Sequence, residues 1–366
     1  MQQYTRLLNA FDWLFALSVF VLMVLGLSAL YGIGLSQAPT DFTNVTKQLV
    51  ALSAGLVVAL LLSLWNYRLL QSYVRTLFVF GLGVLTAVLI VGVERRGTTG
   101  WFDLGFFDLQ PAGFVNIILV VVLATVLANR TRRKMGWKEL LNTAVPTFLF
   151  AGLVMLQPDF GSAALMIGIW LIMILFAGLD RKIVAALAGG GVLASLGAWF
   201  FVFEEFQRNR ILVFLNPELD PLGHGYNVVQ AKIAIGAGRF FGRGLGLGSQ
   251  SQLKFLPEAQ TDFIFAAIAE ELGFLGVLLV LAAFGLFFWR LWVLMKRARD
   301  DFTGYLVVGL GALIFLQMTV NIAFNLGLMP VTGLPLPFVS YGGSALLASF
   351  IVFGILEGVM LRASRS

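Results

Sequence analysis

The chain has 366 residues, 59% of them hydrophobic and 12% charged, with a mean hydropathy of +0.91. Soluble domains carry an apolar share of about 45 to 50%, so this composition excludes a soluble globular protein and indicates one embedded in a membrane. The absence of Cys and the single His, His224, exclude disulfides, thiolate chemistry and a His-rich metal site, and in such a chain the net charge of +6 reports topology before it suggests nucleic acid.

Apolar runs of about 20 residues, enough to cross a hydrocarbon core of about 30 Å, predict ten spans at 11–33, 45–64, 74–93, 112–129, 142–156, 161–179, 183–203, 263–292, 303–325 and 341–361. The first is read as a retained span, since it lacks the charged region, short apolar core and small-residue cleavage site of a signal peptide. The expected fold class is therefore an all-α polytopic membrane protein. It forms a single transmembrane domain, 1–366, with a large extracytoplasmic loop, 204–261, between spans seven and eight.

The orientation follows from the basic residues. With the N-terminus inside, cytoplasmic segments collect 16 of the 25 Lys and Arg, and the short outer loops hold Lys47, Arg95 and Arg96. The positive-inside rule then places both termini in the cytoplasm and the 58-residue loop outside. Within that loop, Gly and Pro punctuate the chain around Tyr226 to Ile235, an apolar-periodic piece suited to a short surface helix. Its "GRGLGLG" neither follows a strand nor opens a βαβ unit, which argues against a nucleotide loop.

Four spans that start at the outer face have unusual beginnings: "LQPAG", "LQPDFGS", "LPEAQTD" and "LPLPFVSYGGS". Each joins a Pro to small or capping residues such as Asp159, Thr261, Ser340 or Gly342. Helix N-termini present free amides and partial positive charge, so several at one leaflet would suit an anion. For any single one, a plain helix start is the favoured explanation, but four on one face with none matching inside point towards a site.

The eighth span opens on four carboxylates. Counting about 20 residues outward from Arg290 puts Glu270 and Glu271 near the hydrocarbon edge and Asp262 in the headgroup layer. Charge is costly at the first pair, so pairing with a cation or capping of backbone amides is the favoured role there. Asp262, expected in the first turn of the helix, could serve equally as a helix-dipole carboxylate or as a base. Gln317, Asn321, Asn325 and Glu357 in the last two spans are read as interhelical hydrogen-bonding groups.

The stretch "NPELDPLGHGYNVVQAKIAIGAGRFFGRGLGLGSQSQLKFLPEAQTDFIFAAIAEELGFLG" closely resembles the large outer loop and following span of the SEDS family, the proteins of shape, elongation, division and sporulation. "NLGLMPVTGLPLPFVSYGGSALL", "LQPDFGSA", "FDWLFALSVFVLMVLGLSALYG" and "KQLVAL" fit the same family, and "QSQLKFLPE" points to its elongation-type, RodA branch. The resemblance covers about Phe11 to Leu361. It implies a peptidoglycan glycosyltransferase that polymerises lipid II at the outer face of the bacterial cytoplasmic membrane. The nascent strand is the donor, and a class B penicillin-binding protein is the partner that crosslinks the product.

By the same resemblance Asp262 matches the family's catalytic aspartate. Glu258, Thr261, Asp159, Ser340, Tyr341 and Gly342 fall in the matching motifs, and Arg210 and Lys232 are candidate cations for the substrate. No resident cofactor is assigned. A divalent cation, magnesium or manganese, would suit the pyrophosphate, although no ligand cluster beyond carboxylates is evident. The chain departs from the family pattern at Gly100, where Arg is usual, at Gly113 and Asn116, where Glu and Lys are usual, and at Gln260, where His is usual. Two other readings stay open. A lipid II flippase would need polar groups through the bilayer and inverted repeats, and a scaffold that only recruits the transpeptidase would tolerate the lost charges.

Overall fold

The computed structural model describes residues 11–36, 39–95, 97–105, 107–130, 135–203, 205–216, 220, 223–248, 250 and 255–363. Among the described residues four helices come first: α1 (Trp13–Leu35), α2 (Thr43–Leu64), the single turn α3 (Arg68–Ser72) and α4 (Val74–Val91). A three-stranded antiparallel meander follows, with β1 (Val93–Arg95), β2 (Thr98–Asp103) and β3 (Asp108–Leu109) in that order. The remaining elements are α5 (Pro111–Ala128), α6 (Trp137–Met155), α7 (Phe160–Phe176), α8 (Arg181–Gly197, continued by a wider π turn), α9 (Glu205–Leu215), α10 (His224–Gly238), α11 (Ile264–Lys296), α12 (Asp301–Asn325) and α13 (Gly343–Ala363).

Each predicted span coincides with a helix, to within a few residues at most ends. Among the described residues eight helices are long and apolar enough to cross a bilayer: α1, α2, α4, α5, α8 with its π turn, α11, α12 and α13. Helix α7 is apolar but only 17 residues long, and α6 carries Lys138, Glu139 and an internal Pro146.

Local chemistry sets the helix starts. Asp12 accepts from the Phe15 amide at 3.0 Å and starts α1, and Pro111 occupies the first turn of α5, where its missing N–H is no loss. Asp159 accepts from the Ser162 amide at 2.9 Å at the head of α7, and Asp300 does the same for Thr303 at α12. Packing then joins distant parts of the chain. Helix α13 lies along α2, α11 packs on α1 and α10, and α12 lies against α5 and α7. Buried rings of Phe15, Phe284, Phe287 and Phe350 fill the centre, while Leu, Val, Phe and Trp side chains cover the outside of the bundle as a lipid-facing surface requires.

Three features differ from the sequence reading. The segment between α4 and α5 is a β meander and not a plain short loop. Among its described residues the large loop contains two helices, α9 and α10, and α10 runs from His224 to Gly238, beyond the predicted Tyr226–Ile235. The eighth span is broken: Gly273 has φ 67°, ψ −160°, which a helix does not tolerate. At that break the amides of Phe274 and Leu275 turn from the helical carbonyls of Glu270 and Glu271 to the carbonyls of Arg239 and Phe240. The freed carbonyls accept from Arg243 and Gly244 at 2.9 and 3.0 Å. A piece of loop, 239–244, thus replaces a turn of helix, and every displaced group is satisfied as burial requires.

Candidate active site at the Asp262 turn

Asp262 is not in the first helical turn, as the sequence suggested. It lies in a run of turns before α11, which starts at Ile264 with no side-chain cap. The carbonyl of Glu258 organises this run. It accepts from the amides of Thr261, Asp262 and Phe263, and the Glu258 carboxylate accepts from the Thr261 hydroxyl at 2.8 Å. Glu258 has φ 54°, so the backbone doubles back here and holds Asp262 outside the helix.

The turn is sewn to the segment between α12 and α13. The Ser340 hydroxyl donates to the Thr261 carbonyl at 2.7 Å and accepts from the Leu336 amide at 2.8 Å. The Tyr341 amide donates to the Gln260 carbonyl at 2.9 Å. Helix α2 braces the same junction: Gln48, 3% exposed, donates to the Ser340 carbonyl and accepts from the Gly342 amide, and Asn44 donates to the Gln260 side chain. From α12, the amides of Asn321 and Asn325 both donate to the Asp262 carbonyl, at 3.1 and 3.0 Å. The backbone of Asp262 is therefore fixed from three sides, while its side chain stays half-buried beside exposed Gly333.

This arrangement suits a base that must be rigid and still reach substrate. A family model described as "cell cycle protein", covering FtsW, RodA and SpoVE, matches residues 7–365.

The chain belongs to the FtsW/RodA/SpoVE family.

Peptidoglycan glycosyltransferase MrdB of Escherichia coli strain K12 is 36% identical over 331 residues, 88% of this chain and 87% of its own length. Stage V sporulation protein E of Bacillus subtilis strain 168 is 34% identical over 364 residues, 95% of this chain and 96% of its own. Among solved structures, a chain of a peptidoglycan synthase complex that coordinates polymerization and crosslinking superposes with a TM-score of 0.84 and 30% identity, over 97% of this chain and 99% of that one. The rod shape determining protein RodA of Thermus thermophilus gives 0.70 and 27%, over 96% of each chain.

Within this FtsW/RodA/SpoVE member, the predicted site residues separate into groups. Thr261, Ser340, Tyr341, Gly342 and Glu258 gather around Asp262. Asp159 belongs to a second cluster, where its carboxylate accepts from Gln110 Nε2 at 3.0 Å and Ser344 Oγ accepts from the Gln110 amide at 3.0 Å. Three of the four predicted helix starts, those of α5, α7 and α13, meet there. Beneath them a cavity of about 30 Å³ is lined by Gln110, Asn116, Ser162, Gln317, Ser344 and Ser349, among others. That volume suits a water or two, and Asn116 Oδ1, buried without a protein partner, is the group such a water would satisfy.

Lys232 is exposed on α10, and its Cε and Nζ fill the space beside Gly327. Arg210 lies in α9, with its side chain outside the described residues. Glu270 and Glu271 have a structural task, as their depth suggested. Buried at 0 and 1% exposure, they accept from the amides of Gln250 at 2.8 Å and Gly246 at 3.2 Å. Amides of the glycine-rich stretch are thus spent on acceptors of their own chain, Gly246 on the Glu271 carboxylate and Gly242, Arg243, Gly244 and Leu247 on backbone carbonyls, consistent with rejecting a nucleotide loop. Asn44 and Gln48 were not singled out from the sequence. The usable signal was an amide side chain inside an otherwise apolar span.

Proposed function

We propose that the protein is a peptidoglycan glycosyltransferase that polymerises lipid II at the outer face of the bacterial cytoplasmic membrane, in cell-wall elongation and shape maintenance. Asp262 is its general base. It takes the proton from the 4-hydroxyl of the acceptor sugar as that oxygen attacks the anomeric carbon of the donor. The bond to the undecaprenyl pyrophosphate breaks, the pyrophosphate leaves with the electron pair, and a single displacement inverts the configuration. Glycosyl transfer by one positioned carboxylate fits an inverting reaction.

The observation that carries this reading is the Asp262 turn itself, clamped through its backbone and presenting its carboxylate beside an exposed glycine. Thr261, Ser340, Tyr341 and Gly342 form the wall next to it, and Glu258 fixes the turn. Lys232 and Arg210 supply cations for the pyrophosphate, and Asp159 sets the helix start of the neighbouring cluster. Among the described residues no three His, Cys, Asp or Glu side chains come together to hold a metal ion. No step is therefore assigned to one, and magnesium or manganese would arrive with the substrate.

All ten helices that match predicted spans cross the membrane in this reading, including α7, whose 17 residues meet the lower limit of about 17 for a span. Both termini are then cytoplasmic and 204–261 lies outside, where lipid II is polymerised. The partner is a class B penicillin-binding protein, a proposal supported by the likeness to a chain of a synthase complex that couples polymerization to crosslinking.

The test is direct. Purified protein, alone and with its transpeptidase, receives labelled lipid II, and glycan is resolved on a gel beside Asp262→Ala. Polymer from the wild type and none from Asp262→Ala is expected. Polymer from Asp262→Ala removes the base assignment, and a wild type inactive with and without the partner favours a flippase or a scaffold.

A further inference from the structure

Asn321 and Asn325 lie one helical turn apart on α12, on the same face, and both are 0% exposed. Their contacts are unusual for residues that merely join two helices. Asn325 Nδ2 donates to the Asp262 carbonyl at 3.0 Å while its Oδ1 accepts from the Ala266 amide at 3.2 Å. Those two backbone groups are four residues apart, the pair that an α-helix would join directly. The Asn325 carboxamide is inserted where that helical bond would run. Asn321 Nδ2 donates to the Asp262 carbonyl at 3.1 Å and to the Leu334 carbonyl at 2.8 Å. Asn325 Nδ2 also bonds the Asn321 carbonyl at 2.9 Å, which fixes the two amides relative to each other.

We infer that Asn321 and Asn325 are positioning residues for Asp262: together they keep it out of helix α11 and set its distance from the Gly333–Leu334 turn. The inference rests on Asp262 being the base. Its physical content is a competition. The sequence "TDFIFAAIAEELGF" extends the helix readily back through Asp262, which would rotate the carboxylate by about 100° for each residue gained. Two amides that occupy the Asp262 carbonyl and the Ala266 N–H oppose that extension. Tying Asn321 to Leu334 makes both walls of the site depend on one side chain. A base displaced by about 1 Å loses about 10²-fold in rate, whereas substrate binding along the rest of the lipid is untouched.

The experiment compares Asn321→Ala, Asn325→Ala, Asn321→Ser and Asp262→Ala in the lipid II polymerisation assay. Elution in detergent and melting are recorded for each protein. The expected result is a fall in kcat of about 10²-fold in the alanine variants, with KM held within about twofold and wild-type elution. Asn321→Ser, which keeps one donor in a smaller side chain, falls in between. Wild-type kcat in both alanine variants, with Asp262→Ala inactive, overturns the positioning role and leaves the base standing. A loss confined to KM, or one seen only in variants that no longer elute as folded protein, overturns it as well. Polymer made by Asp262→Ala overturns the base assignment itself, and this inference with it.

Discussion

Gly333 faces Asp262: among the described residues, its own chain neighbours aside, the heavy atom within 4 Å of a Cβ added at Gly333 would be Oδ2 of Asp262, at 3.8 Å. Gly333 is exposed and has φ 72°, so the turn both needs a glycine and leaves the space before the carboxylate open. Gly333→Ala costs about 1 kcal/mol of backbone strain, and Gly333→Val adds bulk where the acceptor hydroxyl must approach. We expect polymerisation to fall in the order glycine, alanine, valine at equal amounts of folded protein. An undiminished rate in Gly333→Val would show that substrate does not pass between these two residues.

The Glu270 and Glu271 carboxylates should behave differently from Asp262. Each accepts a backbone amide just beyond the 239–244 segment that replaces a turn of α11, Glu271 from Gly246 and Glu270 from Gln250. Truncating either removes the carboxylate acceptor of an amide that is buried at Gly246 and part-buried at Gln250, at up to about 1–3 kcal/mol each. In Glu270→Ala the Gln250 amide, and in Glu271→Ala the Gly246 amide, should exchange hydrogen faster, with the neighbouring 239–248 segment following. Activity should drop only as far as the loop loosens. Unchanged exchange in both variants would remove the clamp from the account.

Much of this was readable in the sequence, and the reasons are local. A span of about 20 apolar residues has one stable form in lipid, so the positions of the helices followed from hydropathy. Asp159 was recognisable as a cap because capping is decided within three residues. The depth count separated Glu270 and Glu271 from Asp262 for the same reason, since rise per residue is fixed. What escaped was non-local. Gly273 looked like any glycine in a membrane helix, because the groups that stabilise its break lie some 30 residues earlier, at 239–244. The β meander escaped because strands of two to six residues leave no periodic signal. The role of Asp262 came from the resemblance. Residue chemistry alone left a dipole carboxylate and a base equally open, and the contacts from α2 and α12 that hold its turn come from parts of the chain far away in sequence.

Acid should weaken the cytoplasmic end of α12 in this reading. Asp300 Oδ1 accepts from the Thr303 amide and hydroxyl, each at 2.8 Å, and its other oxygen pairs with Arg68 at 2.9 Å. Burial pushes the Asp300 pKa up, but the Thr303 bonds and the Arg68 charge outweigh it, and the result lies below the ordinary 3.8. A depressed folded pKa means that the unfolded chain takes the proton first. Its stabilisation is therefore present above about pH 3.8 and is lost as pH falls through the lower folded value. Asp300→Ala should cost about 1 kcal/mol near neutral pH, the usual worth of a cap, and the gap to wild type should close below about pH 4. Arg68→Ala should cost less, since that pair is exposed. Melting curves across pH decide it. A gap that stays constant into acid would rule out the ionised cap.

Gly100 shows that at least one departure from the family pattern is built into the packing. The residue is buried in β2, and a Cβ there would stand 2.9 Å from Gln157 Oε1. Gln157 has little freedom to yield: it is 1% exposed, and its Nε2 reaches the Leu85 carbonyl at 3.4 Å. Restoring the family's arginine by Gly100→Arg therefore drives the first atoms of the new side chain into a held amide at the corner between α6 and α7. Overpacking of this kind costs about 1–3 kcal/mol. The expected outcome is a lower melting temperature and no gain in polymerisation. Gly100→Ala should show a milder form of the same loss, and pairing it with Gln157→Ala should be less damaging than the sum of the two single changes, because the clash is then gone. Strict additivity in that double-mutant cycle, or a more active Gly100→Arg, would mean that the meander can move off Gln157 and that the arginine was lost for a reason other than space.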